Sequence, residues 1–490
     1  MNSMALLVRR APDADGFLGR GAALVFGAQN VSRSGVRLAF LASCALTLTL
    51  AQAGAGARAE TISGALAKAY VFSPDLNAQR AATRAVDEAV PRAMSGYRPT
   101  ITATADAGSQ YAETSARPNG VNTNPRGVGV TLNQNLWNGN RTANSVRQAE
   151  SQIMQSREAM RLTEQTLLGN AAGAYMNVLR DTAILNLRRN NVDVLEEQLR
   201  QVRDRFAVGE VTRTDVAQSE AALAQGRSDA FVAQSNLQNS LAAYRQFIGE
   251  QPRSLSPAQP LERLAPRSLE QALATSQSEH PSIQAALHNA DAAELAVRLA
   301  EGQLLPTVGV TGAVNKRYDL SNVPGANAYT ASIVGQLSVP IYEGGAVYAL
   351  VRQTKEQLGQ ARLIADLQRE QVRAQVVSAW GVWQNSRLVI DAVQAQVRAA
   401  EIALNGVREE ARVGQRTTLD VLNAQQALLN ARVNLVTAQR DRVVGSYTLL
   451  GAVGRLSAGN LGLNVASYDP TVHYDQVKGK WIGLRTPDGR

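Results

Sequence analysis

Val413 to Leu429 reads VGQRTTLDVLNAQQALL, and an earlier stretch, Val208 to Leu223, reads VGEVTRTDVAQSEAAL. They share a skeleton at an offset of 205 residues, pairing Gly209 with Gly414, Thr212 with Thr417, Asp215 with Asp420 and Val216 with Val421. Long helical patterns flank both stretches. A glycine that accepts positive φ can stop a helix. Thr and Asp beyond it are N-cap types for a helix that returns. Each stretch therefore reads as the tip of a helical hairpin, and the two tips lie side by side at one end of a long molecule.

The repeat extends well beyond the tips. Pro74 aligns with Pro281, Pro99 with Pro306 and Tyr111 with Tyr318 at an offset of 207. Past a loop the offset becomes 205, as for Trp137 with Tyr342, Gly139 with Gly344 and Gly249 with Gly454. A length difference in a loop costs little. Two copies of one large unit follow, spanning 60–266 and 267–455, with a tail at 456–490.

Within each copy the hydrophobic period changes. A helical start gives way at Pro99 to alternation, and strands are expected at about 98–111 and 127–137 around a polar loop, Ala112 to Arg126. The second copy repeats this at about 306–318 and 329–342. Small and polar residues take one strand face and modest apolar residues the other. Tyr97, Tyr111, Trp137, Tyr318, Tyr329 and Tyr342 cluster near strand ends, which matches the aromatic girdles of an outer-membrane barrel. A soluble hairpin with ordinary end tyrosines is the alternative at this point. Four strands cannot close a barrel, for which about eight are needed, so a membrane barrel requires pooled strands.

Long helices without proline follow each strand pair, at 141–206 and 346–411. At 1.5 Å per residue each spans about 100 Å. Val192, Leu195, Leu199, Val202 and Phe206 step by three and four, and Val397, Ala400, Leu404, Val407 and Ala411 copy them. Leu422, Leu429, Val436, Val443 and Leu450 step by seven. These are coiled-coil seams. The tips fall at 207–215 and 412–420, and the return helices end at 249 and 454. These cover little more than half the descent; the helix from Ser268 supplies the rest. Between them the proline-rich segment 250–266 forms a non-helical belt at mid-height, which the tail is expected to join.

Arg33 and Arg37, the apolar run Leu38 to Leu50 and Ala57-Arg58-Ala59 read as an export signal over 1–59. Its run is too short to span a membrane as a helix. Cys44 follows Leu41-Ala42-Ser43, a weak match to an acylation box. With one Cys, no disulfide framework is possible within the chain. Net charge is +9, and without the leader's six Arg and two Asp it falls to +5. Basic residues are spread along helices, so nucleic acid is not an expected partner. His280, His288 and His473 lack metal-ligand spacing, and no nucleotide-binding or catalytic motif is present. No cofactor is expected, and any energy must come from a partner.

On the duplicated order, the strand ends Trp137-Asn138-Gly139 and Tyr342-Glu343-Gly344-Gly345 and the two tips, the chain resembles the TolC family of trimeric outer-membrane channels. The resemblance implies a mainly α fold with a β-barrel part. Three chains would share a 12-stranded outer-membrane barrel above an α-helical periplasmic tunnel. It implies a passive exit duct of an efflux pump or type I secretion system, working with a periplasmic adaptor and an inner-membrane RND or ABC transporter. It places Asp420 at the pore constriction, with Asn423 where a second acid often stands. It makes Arg416 a gate latch facing Thr214 and Asp215. It assigns adaptor docking to Val208, Gly209, Glu210 and Thr212, and to Val413, Gly414, Gln415 and Thr417. The competing class is a non-conducting trimeric coiled-coil surface protein.

Overall fold

The computed structural model describes residues 59–115, 117–320 and 324–489. The expected export signal, Ala59 excepted, lies outside these residues, as does Cys44. Helices α1 (Ile62–Phe72), α2 (Pro74–Asp87) and α3 (Ala89–Met94) open the first copy. Ser73 caps α2 by accepting from the Leu76 amide, with Pro74 in the first turn, where its missing N–H costs nothing. Four strands follow, β1 (Thr100–Ala107), β2 (Gln110–Thr114), β3 (Arg117–Thr123) and β4 (Arg126–Trp137). Then come α4 (Arg141–Ala207) and α5 (Arg213–Ile248). The second copy holds α6 (Leu269–Glu279), α7 (Pro281–Glu301), β5 (Thr307–Tyr318), β6 (Ala328–Ser338), α8 (Ala346–Arg412) and α9 (Thr418–Val453). A short α10 (Thr471–Val477) lies in the tail.

Both long helices have 67 residues. Towards the tips, α4 pairs with α5 and α8 with α9, and α9 also packs on α4. Towards the sheet, α2 and α7 flank α4, and α7 packs on α8. Helix α4 is thus covered on two flanks. Helix α8 is covered on one, and its Leu363, Leu388 and Ile402 are 71%, 65% and 75% exposed. The seam positions Leu195, Leu199, Val202, Leu404, Leu422 and Leu429 are buried, whereas Phe206 at the end of the series is exposed.

The main core sits at mid-height. Leu66, Leu168, Ala171, Ala172, Tyr175, Tyr244, Ile248, Tyr447 and Leu450 pack there, with Leu255 and Leu261 of the belt against them. Glu60 pairs with Leu255 as a single parallel bridge. The Tyr175 hydroxyl donates to the Glu60 and Ser256 carbonyls at 2.7 and 2.6 Å. Burial pushes the Tyr175 hydroxyl pKa up to about 12.

The strands form one antiparallel sheet in the order β1-β4-β5-β6, with β2 and β3 paired separately. Three sequence expectations change here. The first strand stops at Ala107, because Gly108 turns to bond the Pro125 carbonyl at 2.9 Å. The expected polar loop is then a hairpin, in which Tyr111 opposes Asn122 and covers Gly120. Strand β6 ends at Ser338, short of Tyr342, because Pro340 has no N–H for the ladder. The tail joins the belt only at its start, where Leu456, Leu461 and Leu463 pack on the mid-height core beside Leu255 and Leu261. It leaves the joint where Arg455 grips Glu279 through two bonds of 2.7 and 2.6 Å. It then follows α2, where His473 Nδ1 meets Asp87 Oδ2 at 2.9 Å. It reaches Arg98 below β1, whose guanidinium donates to the Lys480 carbonyl and lies over Trp481.

Candidate functional site

The two tips are built alike from the backbone up. Gly209 and Gly414 both hold φ +78, and open space surrounds the place of an added Cβ. They are glycines for conformation, not for packing. The Gly209 and Glu210 amides bond the Phe206 and Arg205 carbonyls at 3.0 and 2.9 Å. Gly414 and Gln415 repeat this on Ala411 and Glu410 at 3.2 and 2.9 Å. Orphan carbonyls of the long helices are satisfied in this way. Val208 and Val413 stand 72% and 71% exposed at the apices.

Each return helix starts with a capping box. Asp215 accepts from the Thr212 amide and hydroxyl at 2.9 and 2.7 Å. Asp420 accepts from the Thr417 amide and hydroxyl at 3.0 and 2.9 Å. These bonds hold both carboxyls below the usual carboxylate range. The same oxygen of Asp420 takes both bonds, so its first task is local.

A groove of about 750 Å³ separates the tips. Asp193, Glu197, Glu210 and Asp215 line it from the first hairpin together with Arg205, and Arg408, Arg412 and Arg416 from the second. The expected pairing of Arg416 with Thr214 and Asp215 is not made in this chain. Arg416 Nε donates instead to Glu410 Oε2 at 2.8 Å, six residues back on its own hairpin. That partner is reached without closing the groove, while Asp215 is engaged by Thr212. Thr418, across the tips, also helps hold the Asp215 carboxyl down. Asn423 lines a separate groove with Leu195, Gln218 and Leu422. Sequence reading missed the buried pair above the tips, where Gln425 Nε2 donates to Asn191 Oδ1 at 3.1 Å. Its signal was a polar residue between Leu422 and Leu429 of a heptad seam.

At the opposite end the sheet has two unlike faces. Val130 opposes Ala103 and Val314, and Leu132 opposes Ile101 and Gly312. Gly312 opposes Ile333, so these rows share one apolar face. Ile101, Ile333 and Leu337 are exposed on it. The other face is polar. Thr311 bonds Asn133 at 3.0 Å, and Arg317 reaches Asp106 at 3.5 Å. Gly127 lies between that last pair, and a Cβ there would stand 3.2 Å from Arg317 Cγ. Of the six ring residues, Tyr97, Trp137 and Tyr342 lie at the helical end, and Tyr318 and Tyr329 at the loop end. Tyr111 belongs to the separate hairpin. Among the described residues, no helix is long and apolar enough to cross a membrane, and no acidic, His or Cys cluster could hold a metal.

The model of the family described as outer membrane efflux protein matches this chain twice, at residues 65–250 and 272–455. The chain is 42% identical over 438 residues to the outer membrane efflux protein BepC of Brucella suis, covering 89% of this chain and 94% of the relative. It is 27% identical over 428 residues to the outer membrane protein TolC of Escherichia coli, covering 84% and 86%. The Campylobacter jejuni CmeC outer membrane channel shares the fold with a TM-score of 0.73 at 17% identity, covering 85% of this chain and 89% of that one. The duplicated helices, the two-faced sheet and these matches place this chain in the outer membrane, as a member of the outer membrane efflux protein family of TolC-like channels.

Proposed function

We propose that three copies of this chain close one barrel and one helical tunnel, and that the assembly is a passive export duct gated at its tips. The carrying observation is the sheet's pair of free edges. Strand β4 of the first copy pairs with β5 of the second, while β6 and β1, their counterparts in the repeat, do not pair with each other and each leave one edge free. A long free edge on an apolar sheet invites another strand. The same relation between successive chains pairs β6 of one with β1 of the next. Three such steps close 12 strands, enough for a barrel. Helix α8 then gains on its bare flank the cover that α4 already has.

In this assembly the polar sheet face lines the duct and the apolar face meets lipid. The tips gather at the far end of the tunnel, where Asp420 forms a threefold acidic ring and selects for cations. The tip grooves, with Val208 and Val413 at their apices, receive helical hairpins of a periplasmic adaptor. The adaptor couples the duct to an inner-membrane transporter that supplies the energy. A non-conducting coiled-coil protein would have no use for a sheet with one polar and one apolar face. Native mass measurement in mild detergent, followed by planar-bilayer recording, tests this reading. A trimer with discrete conductance steps is expected; a monomer or dimer that stays electrically silent overturns it.

A further inference from the structure

Lys316 and Arg126 interrupt the apolar sheet face only at its loop end. In the register, Arg126 lies opposite Tyr318, and Lys316 lies between Val128 and Tyr329. The next rows inward are Val130, Val314 and Ala331, then Leu132, Gly312 and Ile333. A strand rises about 3.3 Å per residue, so Lys316 stands about 13 Å along the strand from Gly312. The cations thus sit at the border of the apolar band. Both flank one ring: the Arg126 guanidinium is 5.9 Å and the Lys316 ammonium 5.2 Å from the Tyr318 centroid. A ring face holds such cations in place without neutralising them.

The neighbouring cation shows the contrast. Arg317 points to the polar face and is paired there with Asp106. Arg126 and Lys316, on the face read as lipid-facing, make no ion pair among the described residues. Asp319, the nearest acid along the chain, bonds the Asn124 and Gly325 amides at 2.6 and 2.8 Å and feels Arg126 through space without forming an ion pair with it. A cation beside hydrocarbon is tolerated where it can extend to the headgroup layer. Guanidinium and ammonium groups are the side chains that bind phosphate.

We propose that Arg126, Lys316 and Tyr318 form a docking surface for phosphate-bearing lipid headgroups of the outer leaflet. The inference rests on the barrel reading above. In the trimer the surface recurs three times around the loop-end rim. It fixes the depth of the barrel and binds the leaflet's anionic lipid in preference to zwitterionic lipid.

The test uses the full chain in nanodiscs of phosphatidylcholine, with and without lipid A as the phosphorylated probe. Native mass spectrometry reads the lipid A retained after washing. Arg126→Gln with Lys316→Gln should lower retention roughly threefold or more, while Arg126→Lys should keep it. Arg317→Gln, on the polar face, should leave retention unchanged. A double variant that retains as much lipid A as the parent overturns the proposal. So does competition by millimolar inorganic phosphate, which would mark a free-anion site. Retention lost equally with Arg317→Gln would mark a general charge effect and also overturn it. A chain that does not enter nanodiscs at all would instead overturn the barrel reading, and this surface with it.

Discussion

Arg205 and Glu410 occupy the same place in the two tips and carry opposite charges. Arg205 pairs with Glu210 at 3.0 Å, and Glu410 with Arg416 at 2.8 Å. The tips are therefore stapled with opposite polarity, across a groove lined by four acids and Arg205 on one side and by three arginines on the other. Closing the groove would let Arg416 exchange Glu410 for Asp215. Arg416→Ser should raise single-channel conductance in planar bilayers, by about twofold for an eased constriction. Glu410→Gln frees Arg416 for Asp215 and should lower it. Two variants with the conductance of the parent would remove Arg416 from the gate.

The capping boxes make the tips sensitive to acid. Asp215 and Asp420 titrate below their ordinary values when folded, through bonds from Thr212 and Thr417. A carboxylate with a depressed folded pKa adds stability above its unfolded pKa and loses it as pH falls through the folded one. Amide protection at both tips should hold at neutral pH and decline below about pH 4. Thr417→Ala should cost about 1 kcal/mol locally at neutral pH. Protection factors, corrected for the intrinsic pH dependence of exchange, that stay flat from pH 6 to pH 3 would contradict this.

The repeat specifies a register between chains. Leu132 opposes Gly312 in the sheet. The two offsets carry Leu132 to Leu337 and Gly312 to Ala105. Leu337→Cys with Ala105→Cys should therefore cross-link between chains with a short thiol reagent and give a trimer band on a denaturing gel. Leu337→Cys with Ala103→Cys should react far less. Equal yields from the two pairs would disprove the register.

The apical valines offer apolar contact without serving the fold, since both are largely exposed. Val208→Asp and Val413→Asp should leave thermal stability within about 0.5 kcal/mol, as surface changes usually do. Both should impair efflux in complementation assays if the tips receive a partner. Normal efflux by the double variant would take docking away from the apices.

His473 secures the tail through a buried carboxylate. Asp87 is fully buried, its Oδ1 has no hydrogen-bond partner, and burial raises its pKa. His473→Ala strands that group and should cost about 3 kcal/mol, as removing one partner of a buried pair does. Limited proteolysis should then cut the tail above the joint at Arg455. A variant as resistant as the parent would show that Trp481 against Arg98, and the Tyr468 amide bonded to the Tyr70 hydroxyl, suffice.

Long-range partners were harder to read than elements. Tyr111 aligned with Tyr318 and was expected at a strand end, yet Gly108 and Gly120 divert it into a separate hairpin. Arg416 had several acids within reach, and the sequence could not rank Glu410 against Asp215. The tail carried no period at all, so its route along α2 waited on Asp87 and Arg98, hundreds of residues away.

By itself the sequence determined the duplication, the two long helices, both tips and the alternating strands. These are written in spacing, caps and turn glycines, which act between residues a turn or two apart. The tertiary structure alone decided that β4 joins β5 and leaves β6 and β1 bare, that Arg416 faces its own hairpin, and that Asn191 meets Gln425. Such choices lie among chemically equivalent partners, and only the packing of distant segments brings one of them within bonding distance.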